Sequence, residues 1–256
     1  MSAVVKEWDS MWDGIIGRRY KAHQAWYARG RTGEGRMVLV DENLQGACVV
    51  SLSGVLFTRC DLSGALLGSS FMDDAEIIDC TFFDARMVRS SWERSVLTRC
   101  NFAASYLGAA DFVDAKIDGC DWSNARLEAV IWRRARVKKS TFVGAHLYGA
   151  IFVEAAFEGC SFERAMLSVE PKDEGGNTSS CTSARFTDCD FRGANITGLR
   201  LNNTTFERCK FHGVIGAPVL EGPVTIIDAD FSPDADGSEL RSQADVVAQW
   251  AGGSAP

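Results

Sequence analysis

From Leu52 to Leu167 every fifth residue is large and apolar, through 24 consecutive positions. Two residues ahead of each stands a small one (Val, Cys, Ala or Ser), from Val50 to Ala165. The other three positions of each five are mostly polar or Gly. A helix repeats its apolar positions every ~3.6 residues and a strand every ~2, so neither element fits. A chain that turns a corner every five residues does fit. Its small and large positions both point inward and fill a tube, and the rest face solvent.

A second period defines the coil. Cys60, Cys80, Cys100, Cys120 and Cys160 are spaced by multiples of twenty, with Ser140 in the gap. The next side carries Leu67, Met87, Leu107, Leu127, Leu147 and Leu167. Each side differs from its neighbours yet repeats down the axis, which predicts four walls per turn. The pattern breaks at Ser168–Ser183 and resumes in a new phase at Phe186, Phe191, Ile196, Leu201, Phe206 and Phe211. Aligning Cys189 and Cys209 with the thiol wall makes the break an insertion of 184 − 175 = 9 residues, a loop extruded from a corner.

The segments Cys60-Asp-Leu-Ser-Gly64, Ala110-Asp-Phe-Val-Asp114 and Cys120-Asp-Trp-Ser-Asn124 carry a resemblance. Over roughly residues 48–213 the chain resembles the pentapeptide-repeat family, with its small–Asp/Asn–Leu/Phe–x–x unit. The resemblance implies an all-β fold, a right-handed quadrilateral β-helix. The faces counted predict nearly eight coils, a rod of roughly 37 Å at ~4.8 Å per strand step.

An open solenoid end stacks on other copies unless capped. Val4, Trp8, Met11, Trp12, Ile15, Ile16, His23, Trp26 and Tyr27 recur at helical spacing, predicting a helix over 5–28 that ends at Arg29-Gly30, with tryptophans toward the first coil. Met37–Val40 reads as a lead-in strand and Val224–Ile227 as a closing strand. Ser238 is a candidate N-cap for a helix running to Trp250, with Leu240, Ala244 and Val247 on one side. The expected organisation is an N-terminal capping helix and lead-in strand over 1–46, the solenoid over 47–216 with its insertion at 168–183, and an acidic C-terminal extension over 217–256.

Charge is localised rather than spread. Residues 217–256 hold one basic and seven acidic groups, whereas 47–167 hold 13 and 15. Lys6, Glu7, Asp9 and Asp13 interrupt any apolar leader, and no 18-residue apolar run is present. A cytoplasmic protein without a membrane partner is expected.

Candidate chemistry is sparse. Seven of the nine cysteines occupy the inward small slot, where Cys acts as a small hydrophobe. Cys209-x-x-His212 has half a metal spacing, but one residue faces in and the other out. His23, His146 and His212 lie far apart, with no nucleophile in a recognisable elbow. Gly33-Glu34-Gly35 is too short for a phosphate loop. These readings predict a non-enzymatic protein with no metal or cofactor.

Two surface features remain as partner-binding candidates. One is the basic run Arg133, Arg134, Arg136, Lys138 and Lys139, all outward on two adjacent walls. The other is Glu170, Lys172, Asp173 and Glu174 in the insertion, since loops on rigid scaffolds often carry function. The run lacks outward aromatics for base stacking, which argues against sequence-specific nucleic-acid binding. The resemblance implies one use, protection of DNA gyrase or a related topoisomerase from its poisons, in antibiotic resistance or self-immunity. The mixed-charge walls suit another, a non-catalytic adaptor docking a partner protein, as in a secretion or toxin-immunity system. The sequence leaves the oligomeric state open, homodimer included.

Overall fold

The computed structural model of the protein describes residues 15–48, 51–168 and 178–252. They form a mostly β, parallel-stranded solenoid with a short helix toward each end. The inward large residues define four walls: the first through Phe57 and Ile77, the second through Leu62 and Phe82, the third through Leu67 and Met87, the fourth through Met72 and Trp92. All eight side chains are buried.

The first wall is a ten-stranded parallel sheet, from Val38–Val40 through Leu56–Thr58 to Thr204–Glu207 and Val224–Ile227. The other walls are held mainly by single bridges one coil apart, such as Asp61↔Thr81, Leu66↔Arg86 and Phe71↔Ser91. Ten levels make nine steps of ~4.8 Å, roughly 43 Å. The rod is thus longer than the expected eight coils. Val38 pairs with Leu56 and Cys48 with Leu66, eighteen residues apart instead of twenty. The first coil is therefore two residues short. Its inward Leu39 and Leu44 are spaced by five but lie out of phase with Leu52, so the solenoid starts at Met37.

The insertion is narrower than Ser168–Ser183. Ile151 bridges Ser180, Ser161 bridges Asp190 and Met166 bridges Asn195, each across twenty-nine residues. Nine residues are therefore added to one coil. Ser180–Thr182 is already a strand of the fourth wall, with Cys181 fully buried in the slot of a large apolar residue.

Corners divide into two kinds. After the second, third and fourth walls a turn closes with a backbone bond, as in Ala65 N to Leu62 O (3.0 Å), Ser70 N to Leu67 O (3.2 Å) and Val55 N to Leu52 O (3.1 Å). Among the described residues the corner after the first wall has no such bond. Its backbone groups meet the inward small side chain instead. The Cys100 thiol donates to the carbonyls of Ile77 and Thr98, both at 3.4 Å, and its own N–H donates to Cys120 Sγ at 3.4 Å. Ser140 Oγ serves likewise, accepting from Cys120 N at 3.1 Å and donating to Lys138 O at 2.8 Å. The twenty-residue thiol period thus marks the corner whose backbone needs a side-chain partner.

Aromatic columns fill the tube. On the second wall Phe82, Phe102, Trp122, Phe142 and Phe162 stack at 4.1–6.0 Å. Trp92, Phe112 and Trp132 stack on the fourth wall and meet the second-wall column edge-on at 5.5–5.9 Å. Each such pair adds about 0.5–1.5 kcal/mol beyond burial.

Helix α1 (Ile15–Ala28) covers the first coil. His23 Nδ1 accepts from Met37 N at 3.0 Å, Trp26 stacks on His23 at 5.4 Å, and Tyr27 OH donates to Asp74 at 3.0 Å. Residues 5–14 of the expected helix, including Trp8, Met11 and Trp12, lie outside the described residues. At the other end Val224–Ile227 pairs as expected. Helix α2 spans Gln243–Gly252, not Ser238 onward. Ser242 caps it, its Oγ accepting from Asp245 N at 3.3 Å. The segment before it is a strand, Leu240–Arg241, antiparallel to Ala229–Asp230. Leu240 is exposed, and Val246 and Trp250 are the buried residues. Trp250 closes the tube edge-on against Phe206 and Phe211 at 6.1 and 5.8 Å.

Candidate interaction surfaces

The five basic candidates flank the corner between the fourth and first walls, but they are not equivalent. Arg134 clamps Asp114, one coil back, with Nε and Nη2 at 2.7 and 2.6 Å. This guanidinium holds the Asp114 carboxyl below its usual range. Lys138 Nζ pairs with Glu158 at 2.7 Å. Among the described residues Arg133, Arg136 and Lys139 make no ion pair, so the cationic surface is three residues rather than five. Glu170, Lys172, Asp173 and Glu174 lie outside the described residues.

Arg134 and Asp114 belong to a larger arrangement. The corner residues with left-handed backbone after the fourth wall read Asp74, Arg94, Asp114, Arg134, Glu154, and those after the first wall include Asp41, Arg59, Asp79, Arg99, Asp188 and Arg208. The signs alternate, and arginines clamp acids one coil away at Arg59–Asp41, Arg94–Asp74, Arg99–Asp79 and Arg208–Asp188. Along the second wall Asp61, Asp121 and Asp190 instead accept from the backbone N–H two residues on, at 2.8–3.0 Å.

The remaining chemistry is dispersed. Cys209 is buried, whereas His212 faces out with Nδ1 3.1 Å from the Phe231 carbonyl. Burial pushes the Cys181 and Cys189 thiols well above their ordinary range. Cys48 is exposed. A depression of about 280 Å³ lies between His212 and Arg241, whose guanidinium sits over the Phe231 ring at 4.3 Å. No group of three or more His, Cys, Asp or Glu among the described residues is arranged to hold a metal ion. No helix among them is long and apolar enough to cross a membrane.

The outward face of the third wall escaped the sequence reading. Its outward column runs Cys48, Leu66, Arg86, Tyr106, Arg126, His146, Met166, Asn195, Ile215. Tyr106 lies between the guanidiniums of Arg86 and Arg126, at 5.8 and 5.6 Å. Single outward positions carry no periodic signal, because outward residues are free to vary.

A coil of four five-residue sides around an aromatic and thiol core defines a quadrilateral repeat solenoid. Residues 133–168 and 179–214 match the family model for pentapeptide repeats, in eight copies. Over those residues the chain carries pentapeptide repeats. Solved structures similar to it include HetL, a pentapeptide-repeat protein involved in heterocyst differentiation regulation in the cyanobacterium Nostoc sp. strain PCC 7120. It is 16% identical, with TM-score 0.38, over 81% of this chain and 92% of that one. QnrB1, a plasmid-mediated fluoroquinolone resistance protein, is 14% identical, with TM-score 0.37, over 75% and 90%. A pentapeptide-repeat protein of the Arabidopsis thaliana thylakoid lumen is 24% identical, with TM-score 0.33, over 52% and 70%. No curated protein sequence matches the chain.

Proposed function

We propose that this protein is a non-catalytic adaptor, a rigid rod that docks a partner protein. The carrying observation is the corner pairing. A rod that mimics a DNA duplex needs dense uncompensated negative charge along its length. Here corner carboxylates meet an arginine one coil away, as at Asp114–Arg134 and Asp79–Arg99. Second-wall carboxylates are engaged by their own backbone. Beside these rows Arg133, Arg136 and Lys139 make no ion pair among the described residues, which favours an acidic protein surface as the docked face. Buried free thiols suit a reducing, cytoplasmic setting.

The test is affinity purification from the native host with wild type and an Arg133→Glu/Arg136→Glu/Lys139→Glu variant, read by quantitative mass spectrometry. A single acidic partner is expected, lost in the variant and weakened by salt. In parallel, purified protein is titrated into a gyrase supercoiling assay containing a gyrase poison. Restored supercoiling would overturn the adaptor reading in favour of topoisomerase protection.

A further inference from the structure

His23 is buried to 2% exposure where helix α1 meets the first coil. Its Nδ1 accepts from Met37 N at 3.0 Å, so the neutral ring carries its proton on Nε2. That Nε2 reaches no hydrogen-bond partner. The Ser53 carbonyl lies near enough to favour a proton on the ring, but it does not make the bond. A buried donor left unpaired is costly, and native structures rarely keep one without a use. Beside it lies a cleft of about 220 Å³, lined by His23, Gln24, Tyr27 and Ala28 of α1 and by Ser51 and Ser53 of the coil. No charged side chain is among these lining residues. At ~30 Å³ per molecule the cleft has room for roughly seven waters. One water would serve the Nε2–H. The others would face the Tyr27 ring and the Ala28 methyl, which offer too few polar partners to hold them.

We propose that this cleft is a binding site for a small uncharged carbonyl compound, a compact cyclic amide or ester, which joins α1 to the first coil. The carbonyl oxygen accepts from His23 Nε2–H, the donor that the protein itself leaves unpaired. A buried N–H selects strongly for a ligand that carries an acceptor over one that lacks it. The Ser51 and Ser53 hydroxyls and the Gln24 amide both donate and accept, which suits the ring heteroatom. No cation lines the cleft to compensate a carboxylate or phosphate, so the ligand is neutral. Its apolar ring lies on Tyr27, which is already fixed by its hydrogen bond to Asp74 at 3.0 Å, and displaces loosely held water. Because helix and coil each supply part of the lining, the complete site exists only with α1 seated, and the ligand stabilises that seating. The inference is independent of the adaptor reading. Arg133 lies four coils further on, as the bridges from Ser51 through Phe71, Ser91 and Asp111 to Ile131 show.

The test titrates the full chain with 2-piperidone, a neutral six-membered lactam, and in parallel with acetate, at a pH where His23 is neutral. Imidazole proton–nitrogen NMR follows the His23 Nε2–H, assigned by its loss in His23→Gln. The lactam is expected to shift this signal saturably downfield. The melting temperature should rise by about 3 °C at ten times the dissociation constant. Acetate should do neither. Ala28→Phe and Gln24→Phe, both at exposed positions of α1 that line the cleft, place a ring in the space. Each should weaken lactam binding at least tenfold with unchanged circular dichroism. A His23 signal and a melt that the lactam leaves unmoved up to its solubility limit would show a cleft that holds water alone, and would overturn the proposal. So would equal binding of acetate, or lactam binding that both phenylalanine variants leave intact.

Discussion

Phe102 and Trp122 lie one coil apart on the second wall, ring centroids 4.1 Å apart and planes 3° from parallel. Both are fully buried, and Phe102 also stacks on Phe82 at 4.8 Å. A carboxylate at 102 would sit in a sealed aromatic column with no hydrogen-bond partner. Phe102→Asp is expected to cost at least about 4 kcal/mol and to yield insoluble or unfolded protein. A soluble variant with an unchanged melting temperature would contradict the inward register.

The thiols give a second check. Cys48 is exposed and the other eight cysteines are buried. Reaction of the native protein with a thiol reagent should show one fast equivalent, and the unfolded protein nine. Cys120→Ser should fold normally, since Ser140 already does the same work one coil on. Cys120→Ala should lose about 1 kcal/mol, because the Cys100 N–H loses its acceptor.

Helix α1 approaches the coil closely at Gly54. A Cβ there would lie 2.9 Å from both Trp26 and Tyr27, at a residue with φ of +77°. Gly54→Ala is expected to destabilise the protein by about 1–3 kcal/mol, or to lift α1 off the first coil. Tryptophan fluorescence and the melting temperature report either outcome. An unchanged spectrum and melt would show that α1 is not held at this point.

His23 makes the same cap pH-sensitive. Burial, above all, holds its pKa below the ordinary imidazole value, and Nδ1 is occupied by the Met37 N–H. The unfolded chain therefore takes up a proton before the folded one does. The stabilising contribution is complete above about pH 6.5 and declines as pH falls through the lowered folded value. Melting from pH 7.5 to 5 should show a loss in wild type that is smaller in His23→Gln. Equal slopes would remove His23 as the cause.

The sequence made the coil legible because a five-residue corner repeat demands an inward residue at every step, as Phe82 and Phe102 show. It also placed the closing strand at Val224 and the thiol column. Three things were hidden, each for a physical reason. Leu39 and Leu44 belong to a coil two residues short, so their phase concealed it. Cys181 takes a large apolar slot with a small side chain, so the wall at Ser180–Thr182 read as loop. Ser242, not Ser238, caps α2, because Leu240–Arg241 first pairs with Ala229–Asp230 and delays the helix. Surfaces are least legible. Whether Arg134 is available depends on Asp114, which the coil brings beside it from twenty residues away.

The twenty-nine-residue register that joins Ile151 to Ser180 and Met166 to Asn195 has an engineering corollary. Both sides of that corner return to the same partners as if nothing had been added, so the scaffold is indifferent to chain length there. The corner between Ser168 and Thr178 is accordingly a natural cassette position. Foreign peptides grafted into it would be displayed at a fixed height on a stiff shaft, with the core beneath them undisturbed.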